Sequence, residues 1–197
     1  MLAETAETDE ERAKELLRPV SRSIKKALGD MYYTTRENET MEEAVVRLLV
    51  KNKLTVTTVE SCTGGMIASK IVNVAGASEV FNQGFVTYSN KAKRKMVGVG
   101  KNTLKKYGAV SEPTAREMAA GGAEEADAEA AVAVTGIAGP DGGTDEKPVG
   151  LVYIACCLNG DVTVEECHFH GSRTEIREQS AMEALDLLRR CILKNCG

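Results

Sequence analysis

A strand, a tight corner and a helix follow one another without a gap between residues 55 and 72. The β-branched run at residues 55–59 predicts a strand, and residues 66–72 predict a helix. The corner between them carries two hydroxyls, a thiol and the adjacent glycines Gly64 and Gly65. Two glycines let the backbone take positive φ and let another atom approach the main chain closely. The corner is therefore the first place to look for a site.

Two kinds of chemistry suit such a corner. A helix that begins here directs free N–H groups and its positive dipole end at the corner, which favours an anion or a developing oxyanion. A serine on a strand-to-helix corner is also how several hydrolases expose a nucleophile, and Ser61 has this position. The alternative is an ordinary Ser/Thr N-cap followed by a glycine turn.

Length and charge limit the classes of function. The 197 residues suit one domain plus an extension, and the net charge of −4 is not that of a nucleic-acid-binding protein. No apolar run is long enough to span a membrane, and the acidic N-terminus lacks a signal core. The six cysteines show no C-x-x-C spacing and are expected to be free thiols. We therefore expect a cytoplasmic protein with no direct contact to nucleic acid or membrane.

The first 38 residues differ from the rest of the chain. Apolar residues at helical spacing predict a charged helix over residues 9–28 that stops at Gly29 and Asp30, with a connector from Met31 to Asn38. Thr40 then has Glu43 at the capping-box position, which predicts the start of another helix. We expect residues 1–38 to be a helical extension and residues 39–197 to be the globular domain.

Strands and helices alternate through this domain. Strands are predicted at residues 85–88, 129–135, 149–158 and 162–169, the last two forming a hairpin around Asn159 and Gly160. Further helices are predicted from Ser89 or Asn90 onwards and at residues 101–107, 112–125 and 173–193. This order predicts a three-layer α/β/α sandwich with a mixed, mostly parallel sheet.

Ser, Tyr and Lys together can perform hydrolysis without a histidine. A neutral lysine, its pKa lowered by burial, can accept the proton of a serine while a tyrosine relays or holds it. Tyr88 ends a predicted strand and Lys93 follows five residues later, so both reach Ser61 if their strands are neighbours. Cys62 is the alternative nucleophile, although no histidine lies near it in the sequence.

Other candidate residues lie farther along the chain. The glycine-rich loop at residues 136–143 follows a buried strand at the sheet edge where ligands bind in open α/β folds. Arg173 and Arg177 lie one turn apart and either hold a phosphate or are solvated. His168 and His170 are two residues apart, which would put both rings on one side of a strand and suits a metal site, but a structural role is more common. The basic run at residues 91–95 is expected to be mostly a solvated helix face.

Four blocks of this sequence, in the same order, resemble the CinA C-terminal family, whose characterised members are nicotinamide-nucleotide amidohydrolases. The resemblance covers residues 39–193, and residues 147–150 continue it. The blocks are residues 60–65, 84–90, 108–113 and 135–143. Residues 23–38 resemble the segment that joins this domain to a larger N-terminal domain in two-domain members.

The resemblance implies hydrolysis of the carboxamide of nicotinamide mononucleotide (NMN) to nicotinate mononucleotide and ammonia, without metal or cofactor. It implies Ser61 as nucleophile, Lys93 as general base and Tyr88 as an assisting group. It places substrate binding at the corner, in the glycine-rich loop and at one arginine. These residues are Cys62, Thr63, Gly64, Gly65, Thr135, Gly136, Ile137, Ala138, Gly139 and Arg173.

Two other classes of function stay open beside the amidase. One is a nucleotide-binding or regulatory domain that turns over poorly, and the other is an interaction module of a DNA-uptake or damage-response system. The intact Ser61, Tyr88 and Lys93 favour the amidase, and the acidic balance disfavours DNA contact. The expected partners are a pyridine mononucleotide and a second copy of the chain, with a dimer favoured.

Overall fold

A computed structural model describes residues 5–6, 8–29 and 32–196, and residue 196 is described by its backbone alone. The chain divides into two compact units, residues 1–40 and 41–197. Asp30 and Met31, at which the first helix was predicted to stop and the connector to start, lie outside the described residues.

The described residues of the first unit form one long helix and irregular segments on either side of it. Helix α1 spans Glu10–Leu28, and the side chain of Asp9 accepts a hydrogen bond from the N–H of Arg12. Its C-cap is Gly29, as the sequence predicts, and none of its residues is buried. The apolar residues Leu16 and Val20 are exposed on it.

The second unit is a five-stranded sheet with helices on both faces. Its strands are β1 (Val56–Glu60), β2 (Phe81–Val86), β3 (Ala130–Gly136), β4 (Leu151–Leu158) and β5 (Asp161–His168). Its helices are α2 (Met41–Asn52), α3 (Met66–Val72), α4 (Asn90–Val97), α5 (Lys101–Tyr107), α6 (Glu112–Ala126) and α7 (Arg173–Cys196), with a short 3-10 helix at Ala77–Glu79. The predicted α/β/α sandwich is confirmed.

The strand order is β2-β1-β3-β4-β5. Strands β2, β1 and β3 are parallel, β4 is antiparallel to β3, and β5 pairs antiparallel with β4 through the predicted turn. Four of the five strands therefore run in the same direction. Helix α6 packs on one face of the sheet with α4 and α5, and α7 packs on the other face with α2 and α3.

Small residues let helix α6 lie close to the sheet. The core on this face includes Val59 of β1 and Ala131 and Ala133 of β3, all fully buried. A Cβ atom added at Gly122 of α6 would clash with the side chain of Val59. The close packing fixes β1, the strand that leads into the Ser61 corner.

Most predicted elements are confirmed to within a few residues, but the second strand begins earlier and ends sooner than predicted. Residues 85–88 were expected, and β2 spans Phe81–Val86. The start of this strand was missed because Asn82, Gln83 and Gly84 have low strand propensity, which an exposed edge strand tolerates. Tyr88 lies in the connection after the strand and not at its end.

Candidate active site

The carboxyl ends of the three parallel strands meet at one edge of the sheet. Glu60 of β1 is paired in register with Val86 of β2 and with Val134 of β3. The next residues along each strand direction are Ser61, Thr87 and Thr135. Ligands bind at this edge in open α/β sheets, so the topology brings the corner, the Tyr88 connection and the glycine-rich loop together.

The side chain of Glu60 binds the main chain of the corner. Its side chain is fully buried, and its carboxylate accepts hydrogen bonds from the N–H groups of Gly65 at 2.8 Å, Ile67 at 3.1 Å and Ala68 at 2.8 Å. A carboxylate at the first turn of α3 complements the helix dipole. Gly64 and Gly65 have φ values of 62° and 97°, which glycine adopts without strain, and they turn the chain tightly around this carboxylate.

This arrangement corrects one sequence prediction. The start of helix α3 was expected to present free N–H groups to an anion or oxyanion, but Gly65, Ile67 and Ala68 donate theirs to Glu60. The N–H of Ser61 also has a partner, the carbonyl of Val134 at 3.0 Å. Any oxyanion donor of the corner must therefore come from the residues directly after Ser61.

Ser61 and Lys93 are in direct contact. The Nζ of Lys93 donates to the Oγ of Ser61 at 2.8 Å and to the carbonyl of Thr87 at 2.8 Å. Lys93 lies on α4, which Ser89 caps by accepting a hydrogen bond from the N–H of Ala92. The sequence predicted this convergence on condition that β1 and β2 are neighbours, and the strand order fulfils the condition.

The environment of Lys93 disfavours its charged form. The side chain is only 1% exposed, and within the described residues no carboxylate forms an ion pair with it. Burial lowers the pKa of Lys93 to about 8, and nearby Cys62 opposes this shift. About a tenth of the lysine is therefore neutral at pH 7. A neutral amine in contact with a serine hydroxyl is able to accept its proton.

Cys62 is a poor alternative nucleophile in this environment. It is 6% exposed, and burial raises the pKa of its thiol to about 11, although Lys93 and Arg177 act in the opposite direction. The thiolate is the reactive form of cysteine, so this thiol is inert near neutral pH.

Tyr88 lies at the mouth of the site and lines the same cavity as Ser61. It is 65% exposed, and its hydroxyl accepts a hydrogen bond from the Nη2 of Arg173 at 3.4 Å. Within the part of the chain that the structure describes, this hydroxyl has no hydrogen bond to Ser61 or Lys93. The same arginine donates from Nη1 to the carbonyl of Gly139 at 2.6 Å, so it links the Tyr88 connection to the glycine-rich loop.

A cavity of about 260 Å³ opens in front of Ser61 and Lys93. The predicted binding residues that line it are Cys62, Thr135, Gly136, Ala138 and Arg173. The predicted binding residues that do not line it are Thr63, Gly64, Gly65, Ile137 and Gly139. Thr63 is fully buried, and Gly139 reaches the site only through its carbonyl bond to Arg173.

One wall of the cavity was missed by the sequence analysis. Ala109 and Val110 line it, although residues 108–113 had been noted only as a resembling block. Lys147 donates from Nζ to the carbonyls of Tyr107 at 2.8 Å and Val110 at 2.7 Å, and Thr135 donates to the carbonyl of Ala109 at 2.8 Å. Every residue type has a main-chain carbonyl, so a sequence does not indicate which carbonyl accepts a side-chain hydrogen bond. These hydrogen bonds could therefore not be predicted.

The second arginine of the predicted phosphate pair has another role. Arg177 donates from Nε to the carbonyl of Cys62 at 3.0 Å and from Nη2 to the carbonyl of Thr63 at 2.9 Å. Its guanidinium is therefore bound to the corner itself. Arg173 is the one of the two that lines the cavity.

The remaining candidates lie apart from the cavity. His168 is on β5 at the opposite edge of the sheet from β2 and bonds Glu166 at 2.9 Å. Among the described residues, no group of three or more His, Cys, Asp or Glu side chains is arranged to hold a metal ion. Lys91, Arg94 and Lys95 are exposed, as expected for a solvated helix face. Their exposure leaves Lys93 as the inward-facing member of this run.

Two further observations concern the whole chain. The cysteines at positions 62, 156, 157, 167 and 191 are free thiols, and the side chain of Cys196 lies outside the described residues. Among the residues that the structure describes, none of the helices combines the length and apolar character that crossing a bilayer requires.

Comparisons with known proteins identify the same family for this chain. The family model for the CinA C-terminal domain matches residues 38–192. A CinA-like protein of Kosmotoga olearia is 51% identical over 194 residues, which are 98% of this chain and 47% of that protein. The chain spans about half the length of the curated relatives that it matches.

Solved structures agree with this match. The competence/damage inducible protein CihA from Agrobacterium tumefaciens is 45% identical, with a TM-score of 0.73 over 81% of this chain and 99% of that one. A competence-damaged protein (CinA) superfamily protein from Klebsiella pneumoniae is 33% identical, with a TM-score of 0.76 over 79% of this chain and 99% of that one.

Proposed function

Because the chain belongs to the CinA C-terminal domain family, we propose that it is a nicotinamide-nucleotide amidohydrolase that converts NMN to nicotinate mononucleotide and ammonia. The observation that carries this proposal is the buried contact of 2.8 Å between the Nζ of Lys93 and the Oγ of Ser61. The lowered pKa of Lys93 supports its role as a base. The choice of NMN as substrate rests on the resemblance of the four sequence blocks.

The reaction proceeds in two halves. Neutral Lys93 takes the proton of Ser61 as the Oγ attacks the carboxamide carbon, and the carbonyl oxygen becomes an oxyanion. Protonated Lys93 then gives its proton to the departing nitrogen, so that ammonia leaves and an ester remains on Ser61. A water molecule, deprotonated by Lys93, attacks this ester and releases the nicotinate carboxylate and free Ser61.

Substrate binding is assigned to the walls of the cavity. Arg173 is the cation at its mouth, and a phosphate there would replace the carbonyl of Gly139 as its partner. The hydroxyl of Tyr88, which accepts a hydrogen bond from Arg173, would then be free to turn towards the reacting groups. Thr135 and Gly136 form the opposing wall at the end of β3.

The proposal includes the cellular setting. Five cysteines with described side chains are free thiols: Cys62, Cys156, Cys157, Cys167 and Cys191. Free thiols are usual in a reducing compartment, which supports a cytoplasmic role in recycling pyridine nucleotides. We also propose that the chain forms a homo-oligomer, with a dimer favoured, and light scattering after size-exclusion chromatography tests this. Direct contact with nucleic acid or membrane is not part of the proposal.

The first test is ammonia release from NMN in the presence of EDTA, with wild type beside Ser61→Ala. Release by wild type alone supports both the amidase and its nucleophile, and release despite EDTA argues against a readily chelated metal. No release by either protein, with NMN binding retained in calorimetry, contradicts the amidase and favours the nucleotide-binding regulatory domain.

A further inference from the structure

One arginine of helix α7 binds the main chain of the corner that carries Ser61. We propose that Arg177 is a positioning residue that orients the Cys62–Thr63 peptide so that its N–H can stabilise the oxyanion of the reaction. This inference rests on the proposed amidase function, and it adds a residue and a role that the resemblance does not supply.

The guanidinium of Arg177 binds two successive carbonyls. Its Nε donates to Cys62 at 3.0 Å and its Nη2 donates to Thr63 at 2.9 Å, across more than a hundred residues of sequence. A planar fork with fixed donors holds two acceptors in one geometry, which a lysine cannot do. The main chain directly after Ser61 is therefore fixed by a rigid group on another element.

The direction of these carbonyls determines the direction of an N–H group. In a trans peptide the C=O of one residue and the N–H of the next lie in one plane and point in opposite directions. With the carbonyl of Cys62 bound to Arg177, the N–H of Thr63 must point away from Arg177. Cys62, the first residue of this peptide, lines the cavity, so the peptide lies at the cavity wall.

The other N–H groups of the corner already have partners. The N–H of Ser61 is bound to Val134, and those of Gly65, Ile67 and Ala68 are bound to Glu60. Within the described residues, the N–H groups of Cys62, Thr63 and Gly64 donate to no main-chain carbonyl and no carboxylate. The N–H of the residue after the nucleophile is the usual oxyanion donor at a strand-to-helix corner. Cys62, Thr63 and Gly64 are thus the available donors, and Arg177 holds the two peptides that carry the N–H groups of Thr63 and Gly64.

This role predicts a defect in turnover and not in binding. Oxyanion donors act on charge that develops in the transition state, and loss of one costs about 100-fold in kcat. We expect Arg177→Ala to lower kcat by about this factor while KM changes less than about twofold, because Arg177 does not line the cavity. Arg177→Lys should fall between this variant and wild type, because an ammonium group keeps the charge and loses the fork.

The experiment measures ammonia release from NMN by wild type, Arg177→Ala and Arg177→Lys, with Arg116→Ala as matched control. Arg116 also donates to a main-chain carbonyl, that of Val162 at 2.8 Å, on the opposite face of the sheet from α7. Its loss should leave kcat unchanged. Low concentrations of guanidinium chloride should restore part of the turnover of Arg177→Ala and none to Ser61→Ala, which a general loss of folding would not show.

A second measurement does not depend on the substrate. The rate at which phenylmethylsulfonyl fluoride labels Ser61, followed by intact mass, should fall in Arg177→Ala and stay at the wild-type value in Arg116→Ala. A wild-type protein that labels at Ser61 but releases no ammonia contradicts the substrate alone, and the labelling rates then test Arg177. A wild-type protein that does neither contradicts both proposals, because there is no activated serine to support.

Three results would overturn the role of Arg177. The first is wild-type kcat and labelling in Arg177→Ala. The second is a raised KM with unchanged kcat, which would make Arg177 a binding residue. The third is a shift in the pH dependence assigned to Lys93, because the guanidinium of Arg177 binds main-chain carbonyls and burial sets the pKa of Lys93.

Discussion

The pH dependence of kcat/KM follows from the burial of Lys93. Only the neutral amine can accept the proton of Ser61, and burial lowers the pKa of Lys93 to about 8. The neutral fraction is then about a tenth at pH 7, a half at pH 8 and nine tenths at pH 9. We therefore expect kcat/KM to rise about fivefold from pH 7 to 8, to less than double again by pH 9, and to level off above that.

The assay is steady-state ammonia release at low NMN concentration between pH 7 and 10. Measurements below pH 7 are left out of the fit, because a phosphate ester loses its second proton near pH 6. Enzyme returned from each pH to pH 8 should regain full activity, which separates titration from unfolding. Lys93→Arg should be inactive throughout this range, since a guanidinium cannot give up its proton in a protein.

Two outcomes would refute the reasoning. A flat profile from pH 7 to 9 would mean that no group with the predicted pKa acts as the base. A profile that still rises steeply above pH 10 would mean that the base titrates as an exposed lysine does, and that burial does not activate Lys93.

Three further predictions concern neighbouring residues. Lys93→Met should abolish turnover yet raise the free energy of unfolding at pH 7 by about 1–2 kcal/mol, because below pH 8 the folded wild-type protein must bury the charge of the lysine. This gain in stability should shrink as pH rises from 8 towards 10.5, and a Tm at pH 7 below that of wild type would contradict the prediction. Cys62→Ala should keep most activity, since the thiol is protonated; a loss as large as that of Ser61→Ala would restore the cysteine as nucleophile. Glu60→Gln should cost about 1–3 kcal/mol in thermal or urea unfolding and lower kcat, because an amide cannot accept all three N–H bonds; unchanged stability would show that the carboxylate does not hold the corner.

The parts of the site that the sequence predicted depend on short spacings. Ser61 and the helix after it are contiguous, and Lys93 follows Ser89, the cap of α4, by one turn, so one assumption about neighbouring strands brought Lys93 to Ser61. The strand pattern was equally informative for β3 and β4, which are apolar runs, and for β5, which follows the predicted turn at Asn159 and Gly160.

The parts that the sequence did not predict depend on side chains that meet the main chain. The sequence assigns no role to the side chain of Glu60, because nothing in its neighbours reveals that its carboxylate turns back to cap α3. Arg177 and Lys147 bind carbonyls that are distant in sequence or in another loop, and every residue type has a carbonyl. Such contacts are set by the packing of whole elements, which a pattern of residue types does not encode.

The covalent intermediate tests the central claim most directly. Wild-type enzyme turning over NMN is quenched in acid, and the peptide that contains Ser61 and Cys62 is analysed by fragmentation in a mass spectrometer. The account predicts an ester on Ser61 with the added mass of NMN less ammonia, and no such adduct in Ser61→Ala. An adduct on Cys62 or on another residue, or turnover by Ser61→Ala at the wild-type rate, would contradict it.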